Sequence, residues 1–219
     1  ILELPGEQDP LSAKRVIGKT ALLEFRKQIK NTSKELKDLQ FQRTKINILI
    51  QEYDELIKRK VDDNSIEKFK SSLIEIEKKS NFSSNEEEIY KKLIDTRRFI
   101  NTEIANLFIK TDLSGKDLIN AGRRQEQINN NWEVLLTFNN EGGEKFADIT
   151  KSIAGTNRLL AIVLDGESIS EASVGNQFIK TGITGGSATI SGNFTAEQAR
   201  ELEVQLRGGS LPLPIEIIE

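Results

Sequence analysis

Histidine and cysteine are both absent from this 219-residue sequence. Their absence excludes histidine general bases, Ser-His-Asp and Cys-His nucleophilic sites, zinc sites built from these ligands, and disulfides. Lysine and arginine number 31 against 34 aspartate and glutamate. This near balance gives no strong field of one sign that would favour nucleic acid or an anionic membrane surface. We therefore expect neither a metal nor a nucleic-acid partner.

Long apolar runs are missing as well. The longest purely apolar run covers residues 159–164, far short of the roughly 20 residues that a membrane-spanning helix needs. The sequence starts at Ile1 and contains no methionine, which we interpret as a piece of a longer protein. We expect this piece to be soluble and any membrane helices of its parent to lie outside it.

Glycine and proline are distributed unevenly. Glycine is absent from residues 19–114 and proline from residues 11–211. In this middle part, apolar residues recur at steps of three and four, which is typical of helices with one buried stripe. Two interruptions, at residues 62–64 and 80–85, are rich in Asp, Asn and Ser, which favour turns and helix starts. Residues 27–110 are therefore predicted to form an inserted antiparallel helical hairpin or three-helix bundle.

The flanking parts show strand patterns and turn signals instead. Asp165-Gly166 is a strong hairpin signal after the apolar run, Pro10 suits the first turn of a helix, and Thr195 can cap another. Strands are predicted at residues 1–4, 21–25, 132–138, 158–164, 187–191 and 212–218, and helices from residue 9, near 143–154 and over 195–206. The fold class is thus α+β with a helical insertion.

No residue pattern indicates catalysis. Gly18-Lys19-Thr20 ends like a phosphate-binding loop, but Ala13 stands where that loop needs glycine. The acidic pairs and runs at residues 62–63, 86–88 and 165–167 coincide with predicted helix starts and a turn, where negative or turn-forming residues are favoured anyway. We predict no catalytic residue, no metal ligand and no cofactor.

Several blocks in the flanks resemble the SecD family of protein-export membrane subunits. The early blocks are residues 4–10 (LPGEQDP), 13–15, 17–21 and 23–26 (LEFR). The later ones are 113–118 (LSGKDL), 136–147, 158–166 (RLLAIVLDG), 183–195 (ITGGSATISGNFT), 197–199 and 206–214 (LRGGSLPLP). The resemblance covers about residues 1–26 and 111–219 and does not reach the helical insert.

This resemblance implies a domain organisation. Residues 1–26 would form the first part of a partial ferredoxin-like base, residues 27–110 the insert, residues 111–210 an α+β head, and residues 211–219 a strand returning to the base. Arg26 and Ser210 would form the hinge between base and head.

The resemblance also implies a function without catalysis. The domain would face the extracytoplasmic side of the bacterial plasma membrane (the periplasm), or a thylakoid lumen in a photosynthetic host, and bind unfolded preproteins as they emerge. The membrane part of the parent, with SecF and the Sec channel, would use the proton gradient to promote translocation. Val174, Phe178, Ile179 and Ile183 are our predicted polypeptide-binding residues, because they lie among Gly and Ser in an irregular stretch; the alternative is ordinary core under a loop.

Two other functions are kept open. The chain can be a scaffold whose helical hairpin docks another export or envelope component. It can also be an α+β hydrolase or transferase that relies on acidic residues alone.

Overall fold

A computed structural model of the chain describes residues 22–58, 86–126 and 131–209. The chain divides into two compact units. The first, which we call the sheet unit, combines Ile1–Thr32 with Ala105–Glu219. The second, the helical unit, is Ser33–Ile104.

The described part of the sheet unit contains two antiparallel sheets and two helices. One sheet has the strand order β2-β1-β5-β6 and the other the order β3-β4-β7. The strands are β1 Leu23–Gln28, β2 Phe108–Ser114, β3 Leu118–Gln125, β4 Trp132–Phe138, β5 Leu159–Leu164, β6 Glu167–Ser173 and β7 Ser187–Phe194. The helices of this unit are α3 Asn140–Ile153 and α4 Ala196–Gly209.

One hydrophobic core joins both sheets and both helices of the sheet unit. Alternate residues of β4 are fully buried, as expected for a strand with one face in the core. Phe25 from the first sheet meets Phe138 and Phe146 edge to face, with ring centroids 5.5 and 6.5 Å away. The largest fully buried side chains of this core are Phe25, Leu113, Leu136, Ile153, Ile190, Leu206 and Val134.

Local chemistry explains several element ends. Asp165 and Gly166 join β5 to β6 with φ values of 51° and 86°, the pair of positive angles that a two-residue hairpin turn requires. The Asn139 side chain accepts a hydrogen bond from the Gly142 N–H (2.7 Å) and caps α3. Thr195 Oγ1 accepts one from the Gln198 N–H (3.2 Å) at the start of α4.

The helical unit contains α1 Ser33–Lys58 and α2 Glu86–Asn106. The Tyr53 ring near the end of α1 stacks on the Tyr90 ring near the start of α2, with centroids 5.7 Å apart. This contact fits an antiparallel pair. The apolar stripe is buried at Leu36, Ile46, Leu49, Ile50, Tyr53, Ile89, Leu93, Ile100 and Ile104, because each helix is too polar to be stable without burying this face.

The predicted α+β class with inserted helices is confirmed, and the bounds of the insert are corrected. Lys27 belongs to β1, opposite Ile109 and Leu160, and Asn31 has a φ of 68° before α1 starts at Ser33. At the other end α2 stops at Asn106. Apolar spacing alone cannot separate the last residues of a strand from the first turn of a following helix.

The structure also contains strands that the sequence did not predict. β2 and β3 carry Lys, Asp, Asn, Gly and Arg, and neither shows a regular alternation. The predicted boundary at residues 26/27 falls inside β1, and the one at 110/111 inside β2. The strands predicted at residues 1–4 and 212–218 and the helix predicted from residue 9, together with nearly all of the expected base, lie outside the described residues.

Candidate functional site

The four predicted binding residues lie on residues 174–186, which connect β6 to β7 and which we call the connecting segment. Val174 and Ile183 are partly buried and pack against the core. Phe178 is partly exposed at the end of a short 3-10 helix, Asn176–Phe178, and Ile179 is 51% exposed. The segment thus has two residues that pack against the core, one that is partly exposed and one that is half exposed.

Helix α3 supports this segment through a contact that only glycine permits. Gly182 has a φ of 70°, and a Cβ built on it would stand 1.9 Å from the Ala147 carbonyl oxygen. Glycine alone has the conformational freedom and the space for this position. The backbone of the segment therefore lies directly against the backbone of α3.

A buried hydroxyl fixes the neighbouring residue. Thr150, on α3, is 0% exposed. Its Oγ1 accepts a hydrogen bond from the Ile183 N–H (2.8 Å) and donates to the Phe146 carbonyl (2.7 Å). Sequence reasoning missed Thr150, since a threonine inside a helix usually bonds only to its own preceding turn.

The end of the segment is fixed to the second sheet. The Phe138 N–H donates to the Gly186 carbonyl (2.8 Å). A Cβ at Gly143 would stand 3.2 Å from the Gly186 Cα, so these two glycines allow α3 and the segment to approach closely. Gly143 and Gly186, which are far apart in the sequence, therefore belong to one contact.

Ile179 rests on the turn that follows α3. A Cβ at Gly155, where φ is 72°, would lie 2.9 Å from Ile179 Cδ1. The Ile179 side chain thus contacts this turn on one side, and half of its surface faces solvent. With Phe178 it forms what we call the outward pair.

A buried carboxylate connects the end of β2 to α3. Asp117 accepts hydrogen bonds from the Ser114 N–H (2.9 Å) and from Lys145 Nζ (2.8 Å). Hydrogen bonds to Asp117 and then to Glu141 raise the pKa of Lys145 above its ordinary value. A Cβ at Gly142 would stand 2.7 Å from the Asp117 Cβ. Two separate sequence blocks, 113–118 and 136–147, thus meet at this corner.

Arg26, one of the two predicted hinge residues, lies within β1. Its guanidinium binds Glu24, which also pairs with Lys110 on β2. Burial raises the pKa of Glu24, but hydrogen bonds from Lys110 and Arg26 outweigh it and hold the pKa below its ordinary value. Ser210, the other hinge residue, lies outside the described residues. The hinge remains a prediction.

In the sheet unit, several acidic side chains form ion pairs that link its strands and helices. Besides Glu24 and Asp117, Glu133 pairs with Arg124 (3.0 Å) and Glu203 with Arg123 (3.5 Å). Within the described residues no group of three or more acidic side chains is placed to hold a metal ion.

A protein-family comparison identifies this architecture. The model of the family described as "SecDF, P1 head subdomain" matches residues 91–213, more than half of the chain. The chain belongs to this family. Residues 1–30 match a second model, "Protein translocase subunit SecDF, P1 domain, N-terminal". The resemblance inferred from the sequence is confirmed, and the head match begins within α2, earlier than the predicted residue 111.

Curated relatives of this SecDF P1 chain are protein translocase subunits SecD. The chain is 56% identical to that of Prochlorococcus marinus over 227 residues, covering 100% of this chain and 44% of the relative. It is 39% identical to that of Synechocystis over 219 residues, covering 100% of this chain and 41% of the relative. The chain therefore spans less than half the length of these relatives.

Two solved structures share the fold. A structure of "a membrane component SecDF that enhances protein export" matches with a TM-score of 0.54 and 28% identity, over 99% of this chain and 79% of that one. SecDF "in Super-membrane-facing form" matches with a TM-score of 0.51 and 26% identity, over 99% of this chain and 23% of that one. None of the described helices is both long and apolar enough to span a membrane.

Proposed function

We propose that this SecDF P1 domain lies on the extracytoplasmic side of the membrane and binds unfolded preproteins through the connecting segment, without catalysing a reaction. The parent subunit, acting with SecF and the Sec channel, promotes translocation driven by the proton gradient. Membership in the SecDF P1 family supports this placement. The observation that carries the binding role is Ile179 of the outward pair, which is 51% exposed on a segment whose backbone lies against α3.

The arrangement suits a sequence-tolerant contact. An apolar side chain discriminates little among the polypeptides it touches, since the hydrophobic effect depends on buried area and has no direction. Ile179 is half exposed, so covering it contributes about half of the 1.5–3 kcal/mol expected for a large aliphatic side chain. Because the segment is already ordered by Thr150 and Gly182, binding does not require it to fold.

Substitution of Ile179 tests this role. Ile179→Ser removes the exposed part of the surface, and the affinity for reduced, carboxamidomethylated lactalbumin should fall about five- to tenfold. Ile119→Ser is the matched control, because Ile119 lies on β3 of the same unit and is 63% exposed. Fluorescence anisotropy of the labelled polypeptide measures both. Equal affinities for the two variants would show that the connecting segment is not the binding surface.

The pairing of several carboxylates with Lys or Arg supports the proposal that the domain does not catalyse a reaction. An acid-base pair needs one carboxylate that is free to give or take a proton. In the described part of the sheet unit, Glu24, Asp117, Glu133 and Glu203 are engaged in ion pairs between strands and helices. A hydrolase or transferase screen in which one Asp or Glu substitution abolishes turnover would contradict this proposal.

A scaffold role for the helical unit is the second candidate. Phe41 on α1 and Phe99 on α2 are 62% and 65% exposed, an unusual position for large aromatic residues. Replacing residues 33–104 by a short polar turn separates the candidates, since Gln28 and Phe108 already stand opposite each other in the sheet. A scaffold would lose its partner in this variant. The preprotein-binding proposal instead predicts that affinity for the lactalbumin probe is retained.

A further inference from the structure

The outer edge of β7 carries backbone groups that do not point toward β4. The Phe138 N–H donates to Gly186, and Leu136 and Val134 stand opposite Ala188 and Ile190. Backbone groups of successive residues point to opposite sides of a strand. Those of Ser187 and Thr189 therefore point away from β4; beyond Ile190 the register becomes irregular, and Phe194 stands opposite Trp132. Ser187 and Thr189 are exposed, and no strand among the described residues pairs with this edge.

The β7 edge also lacks two of the usual protections against pairing. Natural sheets shield their edges with charged residues, proline or bulges. Ser187–Phe194 contains no charged residue and no proline, and its register irregularity lies between Ile190 and Phe194, so residues 187–190 pair regularly with β4. The other edges in the described sheets do carry charges. These are Lys110 and Asp112 on β2, Arg123 and Arg124 on β3, and Glu167 and Glu171 on β6. On β3 the Ala121 carbonyl additionally accepts a hydrogen bond from Arg207 (2.7 Å).

Several apolar side chains on β6, β7 and the connecting segment are only partly buried. Among the described residues, six partly buried hydrophobic side chains pack against the core of the sheet unit: Trp132, Ile169, Val174, Ile183, Ala188 and Phe194. Five of these, all except Trp132, lie on β6, β7 or the connecting segment. A further strand beside β7 would place every second side chain on the face of Ala188 and Ile190.

We propose that the outer edge of β7 binds an extended segment of unfolded polypeptide by strand addition. This inference rests on the proposed function and specifies how the preprotein is held. Main-chain hydrogen bonds to Ser187 and Thr189 give affinity for any extended sequence, and the partly exposed apolar groups favour alternate hydrophobic residues. Prolines and adjacent charges in the bound segment weaken binding, because they remove donors or place charge beside Ala188.

A pair of peptides tests the proposal on the unaltered chain. The probe is a capped nine-residue peptide of alternating valine and threonine with a lysine at each end. Its partner carries N-methyl groups on two consecutive central residues, which removes one donor from each edge of the peptide. Strand addition predicts at least about tenfold weaker binding of the methylated peptide, measured by calorimetry. Equal affinities overturn strand addition.

A proline substitution gives an independent test on the protein side. Thr189→Pro removes an N–H that points away from β4, so the ladder between β4 and β7 loses no bond. Binding of the unmethylated peptide should fall about tenfold, while the matched variant Thr189→Val, which keeps the N–H, should bind like wild type. The unfolding midpoint from Trp132 fluorescence shows whether the variant is folded. A folded Thr189→Pro chain that binds the peptide with unchanged affinity contradicts the proposal.

The lactalbumin probe separates failure of this inference from failure of the proposed function. If Ile179→Ser weakens lactalbumin binding while both peptides bind equally or not at all, polypeptide binding stands and strand addition is wrong. If wild type binds the unmethylated peptide selectively but Ile179→Ser behaves like Ile119→Ser, strand addition stands and the outward pair is not the binding surface.

Discussion

Two glycines of the connecting segment offer a matched pair of substitutions. Gly182 and Gly186 have nearly the same φ, 70° and 64°, but very different surroundings. A Cβ at Gly182 would stand 1.9 Å from the Ala147 carbonyl oxygen, whereas at Gly186 the nearest atom, the Phe138 oxygen, is 3.8 Å away. Comparing Gly182→Ala with Gly186→Ala therefore cancels the backbone strain and isolates the close contact with α3.

The two substitutions should lower the free energy of unfolding by clearly different amounts. Gly186→Ala should cost only the left-handed penalty of about 1–2 kcal/mol. Gly182→Ala adds about 1–3 kcal/mol for the forced displacement. It also breaks the adjacent bond between the Ile183 N–H and Thr150, which leaves a buried group unpaired at about 1–3 kcal/mol. The difference in the free energy of unfolding should be at least about 2 kcal/mol.

Urea unfolding followed by tryptophan fluorescence measures this difference. Trp132 is the sole tryptophan of the chain and lies on β4, so its signal reports the sheet unit. Gly182→Ala should also weaken lactalbumin binding more than Gly186→Ala does, because only the former lifts the segment from α3. Equal unfolding free energies for the two variants would refute the close packing of segment and helix.

Two further predictions concern buried polar groups. Thr150→Val should cost about 1–3 kcal/mol and expose the Ile183 amide to hydrogen exchange, whereas Thr150→Ser keeps the hydroxyl and should preserve protection at that amide; equal exchange in both variants would contradict the role of this hydroxyl. For Glu24, ionisation stabilises the fold above its unfolded pKa near 4.5, and this contribution is lost as the pH falls through the lower folded value. The stability gap between wild type and Glu24→Gln should therefore be constant near neutral pH and close in acid below about pH 4.5; a gap unchanged from pH 7 to pH 3 in urea unfolding would refute the pairing with Lys110 and Arg26.

Elements set by local chemistry were predictable from the sequence. β4 has the predicted bounds, since its apolar alternation ends where Asn139 begins the cap of α3. The Asp165-Gly166 turn likewise carries its own conformational signal. Each of these features depends on residues that are close in the chain.

Features set by distant residues were not predictable. β2 and β3 become strands through their pairing with β1 and β4 despite weak patterns of their own. In the candidate site, the sequence marked Ile179 as exposed apolar surface but gave no signal for Thr150, whose importance depends on the Ile183 amide 33 residues away. A side chain that supports a site from another element is recognisable only once the two elements meet.

The interruption of the sheet unit by residues 33–104 has a consequence for the order in which the chain folds during synthesis. β1 is made long before β5, and the contacts between these strands join residues at least 131 positions apart, such as the Gln28 side chain and the Leu159 amide. The helices α1 and α2 find their partners within the interrupting segment and complete their packing sooner. Until β5 has been made, the edge of β1 that pairs with it has no partner, and an unpaired strand edge promotes aggregation. A strand made more than 130 residues later thus determines when β1 is protected from aggregation.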